Sequence, residues 1–571
     1  MLLLWWILFN DTAMKQRTVF VLIFSFCSVL LFSQSWSTVG GNNAKNGRGR
    51  MPGPTSAATP LWSVNADLYT AWGNAVYISG DRFVQTRIQL DPVYTGQVEC
   101  RQLSDGALLW TYGENGGIPY VVGFNEHAVY VHDYATADFI ALDPQTGAER
   151  WRHPEAVDMF GGNAGIVFAC NGDPVVFGKR IDQYTGETVW ATTYLIPILP
   201  DGGYAVYGDT YYHWEGTVLT PKRLIAIDMN SGQLKYKSDP MPGDPDQENP
   251  LTIGPDGVIY ISRDGGPLIA YKDNGAGFDT LWMSNFSAQS RVSVGPDGSL
   301  YYFRNNRLLR VDPANGQPLD TSVQALASTS PPLIAIDPDG RVYASNGAFG
   351  GAGRYYCYTP DLSQILWTLP TPTNYYSGPA FGRNGVLIAV GEGTSIRAYS
   401  YAEQHQPVAD FEASTYSTSV GSPVVFQDYT SFSPSSFEWH FPGGAPASST
   451  DPNPPAVVYD APGWYDVTLI VQNALGTDTL TKACLIEVKE ASSTPGPGDL
   501  DVRIYPNPAS DWVRVEAPEG SWVRVWETGS GRLLLTSNAT ALINIGAWPA
   551  GMYVVEVKNG KSVWRGRLVV Y

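Results

Sequence analysis

The sequence predicts an all-β protein: an eight-bladed, alternatively seven-bladed, β-propeller followed by an Ig-like β-sandwich and a small C-terminal β-sandwich. Three observations predict it. A short phrase recurs seven times between residues 100 and 370, at intervals of about 37 to 48 residues between its closing positions, and a period near forty in a β-rich chain is that of propeller blades or a similar array. Aromatics reach 13%, with 59 Gly and 42 Pro among 571 residues, the mix of many short strands joined by turns rather than of helical bundles. Turn chemistry punctuates the chain at the same period, with Pro-Asp-Gly at 255–257, 296–298 and 338–340.

The repeat explains its own residues. Its clearest copies run from Leu103 to Trp110, from Ala141 through Asp143, Thr146 and Gly147 to Trp151, and from Ile181 through Asp182, Thr185 and Gly186 to Trp190. Weaker copies pass through Asp228 and Gly232 to Tyr236, through Asp273 to Trp282, through Asp312 and Gly316 to Leu319, and from Tyr358 to Trp367. Apolar residues before the Asp form a strand. The Asp then bonds its own backbone and the Gly accepts a positive φ, which makes a tight turn. The next strand ends in a large ring that can pack between sheets. Segment 378–401 supplies only three strands and lacks the closing Trp, whereas Leu61-Trp62-Ser63-Val64 is a fourth strand without partners. Pairing the two closes the ring and leaves no open edge at the seam. The propeller is thus expected over residues 61–402, after an N-terminal segment at 36–60.

The repeat resembles that of the quinoprotein-type propeller family, Ala-x-Asp-x-x-Thr-Gly-x-x-x-Trp, and residues 141–151 match it best. The resemblance implies the fold. It implies no activity, because the family's enzymes bind pyrroloquinoline quinone beside a vicinal Cys-Cys bridge, a calcium site and an Asp base, and this chain has no adjacent cysteines. Non-catalytic relatives use the same repeat as a scaffold for protein contacts.

Residues 406–490 form a second unit. It carries Phe411, a half-buried alternation from Val424 to Phe426, Phe437-Glu438-Trp439-His440-Phe441-Pro442-Gly443-Gly444, and Tyr459 to Leu469. Short, turn-punctuated strands over this length indicate an Ig-like sandwich. The motifs resemble those of a PKD (polycystic-kidney-disease) domain, with Pro442-Gly443-Gly444 where the family usually has Gly-Asp-Gly; in secreted bacterial proteins such domains are spacers or contact modules. Residues 491–500, rich in Ser, Pro and Gly, read as a linker. Residues 501–571 open with Tyr505-Pro506-Asn507-Pro508, continue through Gly551-Met552-Tyr553 and end in Leu568-Val569-Val570. They resemble the C-terminal sorting domain of the type IX secretion system. That resemblance implies a Bacteroidetes-type bacterium, handling by the type IX machinery through residues 501–571, and a secreted or outer-membrane-surface location. At the other end, basic Met14-Lys15-Gln16-Arg17 and the apolar run Val19 to Phe32 make residues 1–35 a signal peptide whose start is read as Met14. The run is too short for a comfortable membrane span, and no later segment offers one.

Charge and chemistry narrow the function. The formal net charge of −18 makes nucleic acid an unsuitable partner. Six histidines are scattered without metal-ligand spacing, and no catalytic constellation stands out. No cofactor is assigned; calcium at the acidic turns is the open alternative, although a calcium loop needs more oxygens at alternating spacing. Cys100, Cys170, Cys357 and Cys484 read as isolated buried thiols, with a Cys100–Cys170 bridge between adjacent blades as the alternative. Tyr211, Tyr212, His213, Trp214, Tyr355, Tyr356, Tyr375 and Tyr376 are candidate ligand contacts, weighed against packing between blades. The resulting expectation is an exported binding protein that holds an unknown extracellular protein or glycan on its propeller. The alternative is a secreted enzyme, either a quinone-dependent dehydrogenase or a propeller-type polysaccharide lyase or hydrolase.

Overall fold

Strands supply almost all the regular structure in the computed structural model of the chain; among the described residues the one helical element is the 3-10 turn Arg383–Gly385. The described residues are 36–570 apart from 39–40, 58, 66–67, 71–75, 90–94, 114–116, 134, 155–165, 177, 193–203, 216–220, 242–250, 263–265, 289, 327–332, 347–351, 373–377, 392, 491–501, 506–508, 519, 528–531, 539–541, 550 and 560–561. The expected signal peptide and linker, with Tyr375 and Tyr376, lie outside them.

Between residues 62 and 399 the described strands form eight antiparallel sheets. The first has five strands, Tyr69–Thr70 and Tyr77–Ser79 both pairing with Arg82–Gln89; in six others consecutive strands pair in chain order. The second, for instance, is Pro119–Phe124, Val129–Asp133, Phe139–Leu142 and Glu149–His153. The eighth takes three strands from Ala380–Gly382, Val386–Val390 and Ser395–Tyr399, and its fourth is Trp62–Asn65 from the other end of the segment, with Trp62 opposite Ala398 and Asn65 opposite Ser395. The apolar cores run in a closed circuit. Val84 and Trp110 of the first sheet pack with Val121 and Val131 of the second, Tyr130 and Trp151 with Ile166 and Val176 of the third, and Val167 and Trp190 with Tyr211 and Ile225 of the fourth. The circuit continues through Trp214 and Ile259, Tyr260 and Tyr302, and Tyr301 and Tyr356. It returns through a core that joins Tyr355 of the seventh sheet, Leu387 of the eighth and Phe83 of the first.

The repeat residues act across these junctions. Four closing Trp residues donate the indole N–H to a backbone carbonyl of the next turn: Trp110 to Pro144 (3.0 Å), Trp151 to Gln183 (2.8 Å), Trp190 to Met229 (2.9 Å) and Trp282 to Pro313 (2.8 Å). Trp62 does the same to Leu103 for the eighth sheet. The turn Gly is needed because the ring lies on it. A Cβ on Gly147, Gly186, Gly232 or Gly316 would come within 2.6–2.8 Å of the preceding sheet's indole, and each has a positive φ. Asp143 Oδ1 accepts from the Gln145 and Thr146 amides, the local bonding that shapes the turn.

The N-terminal segment, unassigned by the sequence, circles one end of the central channel. Six sheets give it a backbone amide in turn: Ile78 to the Trp36 carbonyl, Phe124 to Ser37, Val206 to Asn43, Ile253 to Ala44, Val294 to Asn46 and Ile336 to Gly47. Phe168 of the third sheet exchanges two bonds with the Asn43 side chain. The Pro54 carbonyl then receives the Trp367 indole N–H.

The second unit is a sandwich around Phe411, Phe426, Trp439, Phe441 and Leu469. Expected as a spacer or contact module, it is docked on the plugged end of the propeller. Cys170, in a turn of the third sheet, forms a disulfide with Cys484, which corrects the reading of these two as isolated thiols and also the alternative bridge between Cys100 and Cys170. Cys100 and Cys357 are the free, buried thiols, each standing opposite a Trp in its sheet. Arg383 bonds Asp410 (3.1 Å) and Glu412 (3.2 Å) and lies 3.9 Å over the Tyr429 ring. Arg50 pairs with Asp478 at 2.5 Å. The last unit has two sheets around Val513, Val525, Val555 and Leu568.

Candidate functional site

Strand register shows where the repeat is broken. Trp151 stands opposite Ala141, Trp190 opposite Arg180 and Trp282 opposite Ala270. At the same position the fourth sheet has Tyr236, opposite Ala226, and the sixth has Asp320, opposite Arg310. The closing position of the sixth copy is therefore Asp320, not Leu319: it stands four residues after Gly316, as Trp151 stands four after Gly147.

The two exchanges have different consequences. At the sixth junction Asp320 bonds Arg310 (3.0 Å), Leu362 of the seventh-sheet turn is fully buried at φ 59°, and the Tyr301 hydroxyl donates to the Pro360 carbonyl. Other atoms take the place of the indole. At the fourth junction the hydroxyls of Tyr207 and Tyr236 reach the Pro255 carbonyl and Asp273, but space is left beside them. The facing turn is also altered: the fifth sheet extends its hairpin through Asp273 opposite Phe278, and a Cβ on Gly275 would meet nothing within 4 Å. A cavity of about 660 Å³ opens there, within the usual span of small-molecule sites, about 300–1,000 Å³.

Four turns and strands build its walls. The fourth sheet supplies Tyr207, Asp209, Thr210, Tyr212, Lys235 and Tyr236, and the fifth supplies Asp256, Lys272, Asp273 and Gly275. Asp273 is the centre. Its Oδ2 accepts from the Tyr212 hydroxyl at 2.5 Å, and its Oδ1 accepts from the Tyr236 hydroxyl and the Gly275 amide. Burial first, and then the bond to Asp273, raise the pKa of both phenols well above the ordinary tyrosine value, so both keep their protons and donate. Phe278 meets the Tyr212 and Tyr236 rings edge-on, with centroids 6.1 and 5.4 Å away. At the rim Lys235 Nζ reaches Asp209 (3.0 Å) and Thr210 (2.8 Å), and Lys272 donates to the Asp256 carbonyl.

The structure separates the six candidate contacts that lie among the described residues. Tyr212 lines the cavity. Its strand neighbours Tyr211, His213 and Trp214 are buried in the cores around it, and burial holds the His213 imidazole down to about 4. Tyr355 donates to the Val390 carbonyl inside the seventh–eighth core, and Tyr356 packs in the sixth–seventh core. Packing between blades accounts for these five. Tyr207, Tyr236 and Asp273 were missed as site residues; the Tyr at a position otherwise held by Trp was the signal available. The acidic turns use their oxygens internally: Asp256 Oδ1 accepts the Val258 amide, Asp297 binds Ser299 and Arg310, and Asp337 binds Arg341 and the Gly53 amide.

Comparisons with known proteins agree with this architecture. Residues 94–322 match the family model described as outer membrane protein assembly factor BamB, residues 404–488 match the PKD domain, and residues 503–571 match the secretion system C-terminal sorting domain. Among solved structures, BamB from Moraxella catarrhalis is 14% identical, with 60% of this chain and 99% of that chain covered at a TM-score of 0.43. A europium-containing methanol dehydrogenase is 12% identical, with 62% and 89% covered at 0.44. Likeness at this level bears on neither ligand nor activity. No curated protein matches the chain. Among the described residues no helix is long and apolar enough to cross a membrane.

Proposed function

We propose, from the premise that this chain joins a quinoprotein-repeat propeller to a PKD domain and a type IX sorting domain and is a secreted or cell-surface protein of the Bacteroidetes type, that its propeller is a binding platform for an extracellular glycan or protein. The observation that carries this reading is the cavity at the fourth junction. A regular repeat would fill it with an indole, and here rings, carboxylates and ammonium groups converge on open space instead. Pockets that combine apolar walls with a few convergent polar groups are the general form of ligand sites.

The docked second unit supports the same reading. The N-terminal segment and the PKD domain occupy one end of the channel, while the cavity lies at the outer part of a junction between blades, where a ligand can enter from solvent. The rigid ring presents the site, and the last domain carries the address. The test is capture on intact cells by photo-crosslinking from position 235, run beside a quinone-dependent dye-reduction assay with calcium and a depolymerisation assay on polysaccharides. The expected result is specific crosslinking without turnover. Turnover of an alcohol or a polysaccharide would replace the binding reading with the enzymatic one.

A further inference from the structure

We infer that the cavity between the fourth and fifth sheets takes a neutral carbohydrate, with the Tyr212–Asp273–Tyr236 cluster as its floor; this rests on the binding reading above and names its ligand class. The lining carries both signs of charge. Asp209, Asp256 and Asp273 face Lys235 and Lys272 across one small space. A compact anion would meet three carboxylates, and a compact cation would meet two ammonium groups. A ligand with many hydroxyls has donors for the carboxylates and acceptors for the ammonium groups, and no net charge to desolvate. Its C–H faces suit phenol rings, which give apolar area with a polar edge.

The floor is preorganised. The two phenol protons are committed to the Asp273 oxygens, which fixes the rings. Each phenol oxygen keeps acceptor capacity toward the cavity, because a hydroxyl has one donor and two lone pairs. The Lys235 ammonium is held at the rim by Asp209 and Thr210, and Asp228 lies 3.9 Å away. The exchange of Trp for Tyr at 236 therefore removes a plug and adds a recognition group at once.

The test uses the full chain on an array of neutral and acidic oligosaccharides, followed by isothermal titration with the sugars retained. Neutral sugars are expected to bind. Tyr236→Trp, which restores the repeat residue, is expected to weaken binding at least tenfold while keeping or raising the melting temperature. Asp273→Asn, which keeps the shape but weakens the hold on both phenols, is expected to weaken binding with a folded circular-dichroism spectrum. Retention of acidic sugars alone, or of neutral sugars with affinity unchanged in both variants, overturns the inference. Should no sugar bind while crosslinking from position 235 still captures a surface protein in the wild type and not in Tyr236→Trp, the carbohydrate assignment falls and the platform reading stands; loss of both signals ends both.

Discussion

The indole of Trp110 lies so close over the turn of the neighbouring sheet that a Cβ on Gly147 would sit 2.6 Å from it. Two residues from different blades thus specify each other, and the same relation joins Trp151 to Gly186 and Trp190 to Gly232. Gly275, at the broken junction, has a positive φ but no such neighbour. Gly147→Ala should therefore suffer both a left-handed backbone cost and a clash, together about 3 kcal/mol. Gly275→Ala should suffer the backbone cost alone, about 1–2 kcal/mol. Urea unfolding of the two variants checks the difference; equal losses would show that the indole does not press on the turn.

The covalent tie between Cys170 and Cys484 spans 314 residues. A cross-link over so long a loop constrains the unfolded chain strongly, by about 5–6 kcal/mol in the chain-entropy picture. Cys170→Ser with Cys484→Ser should lower the melting temperature and make the segment between the two units easier to cleave. The Arg383–Asp410–Glu412 contacts should keep the units docked, so the scattering profile in solution should change little. A non-reducing peptide map without a 170–484 linked peptide would contradict the assignment.

Acid should loosen the fold through two histidines. Burial holds His127 and His213 down to about 4, against about 6.5 in an unfolded chain. Between these values the unfolded chain binds protons that the folded chain refuses. Stability is therefore lost as the pH falls from 6.5 to 4, by up to about 3 kcal/mol for each group. Below 4 the two groups add no further slope. Because buried carboxylates such as Glu412 and Asp337 are shifted upward by burial and act in the opposite sense, the comparison of interest is with His127→Gln/His213→Gln. That variant should show a shallower decline over this window in denaturant titrations; parallel curves would refute it.

Much of the ring was legible because each blade repeats the same local solution. The Asp–Gly turn and the following Trp announce themselves, and a Trp-bearing strand without partners at residue 62 points to the three-strand remainder near 399. The path of residues 36–54 was not legible, since its bonds are scattered contacts to seven different sheets and leave no periodic trace. The partner of Cys170 was hidden for the same reason: the two cysteines meet only because two separate units dock. The cavity was half legible. Tyr236 reads as a weak copy of Trp, and its meaning depends on the hairpin ending at Phe278, which is longer than its counterparts. Asp320 was legible, since it follows Gly316 by the same four residues that separate Gly147 from Trp151, and its assignment to Leu319 was a miscount of that spacing. The isolated aromatic runs misled in the other direction, as alternation along one strand sends Tyr211 into one core and Tyr212 toward the cavity.

Hydrogen–deuterium exchange on the full chain, with and without an oligosaccharide retained on the array, tests most directly whether the broken repeat is the ligand seat. Protection confined to residues 207–212, 235–237, 256–258 and 272–278 is the predicted result. Protection on other junctions of the ring, or an unchanged pattern at saturating sugar, would contradict it.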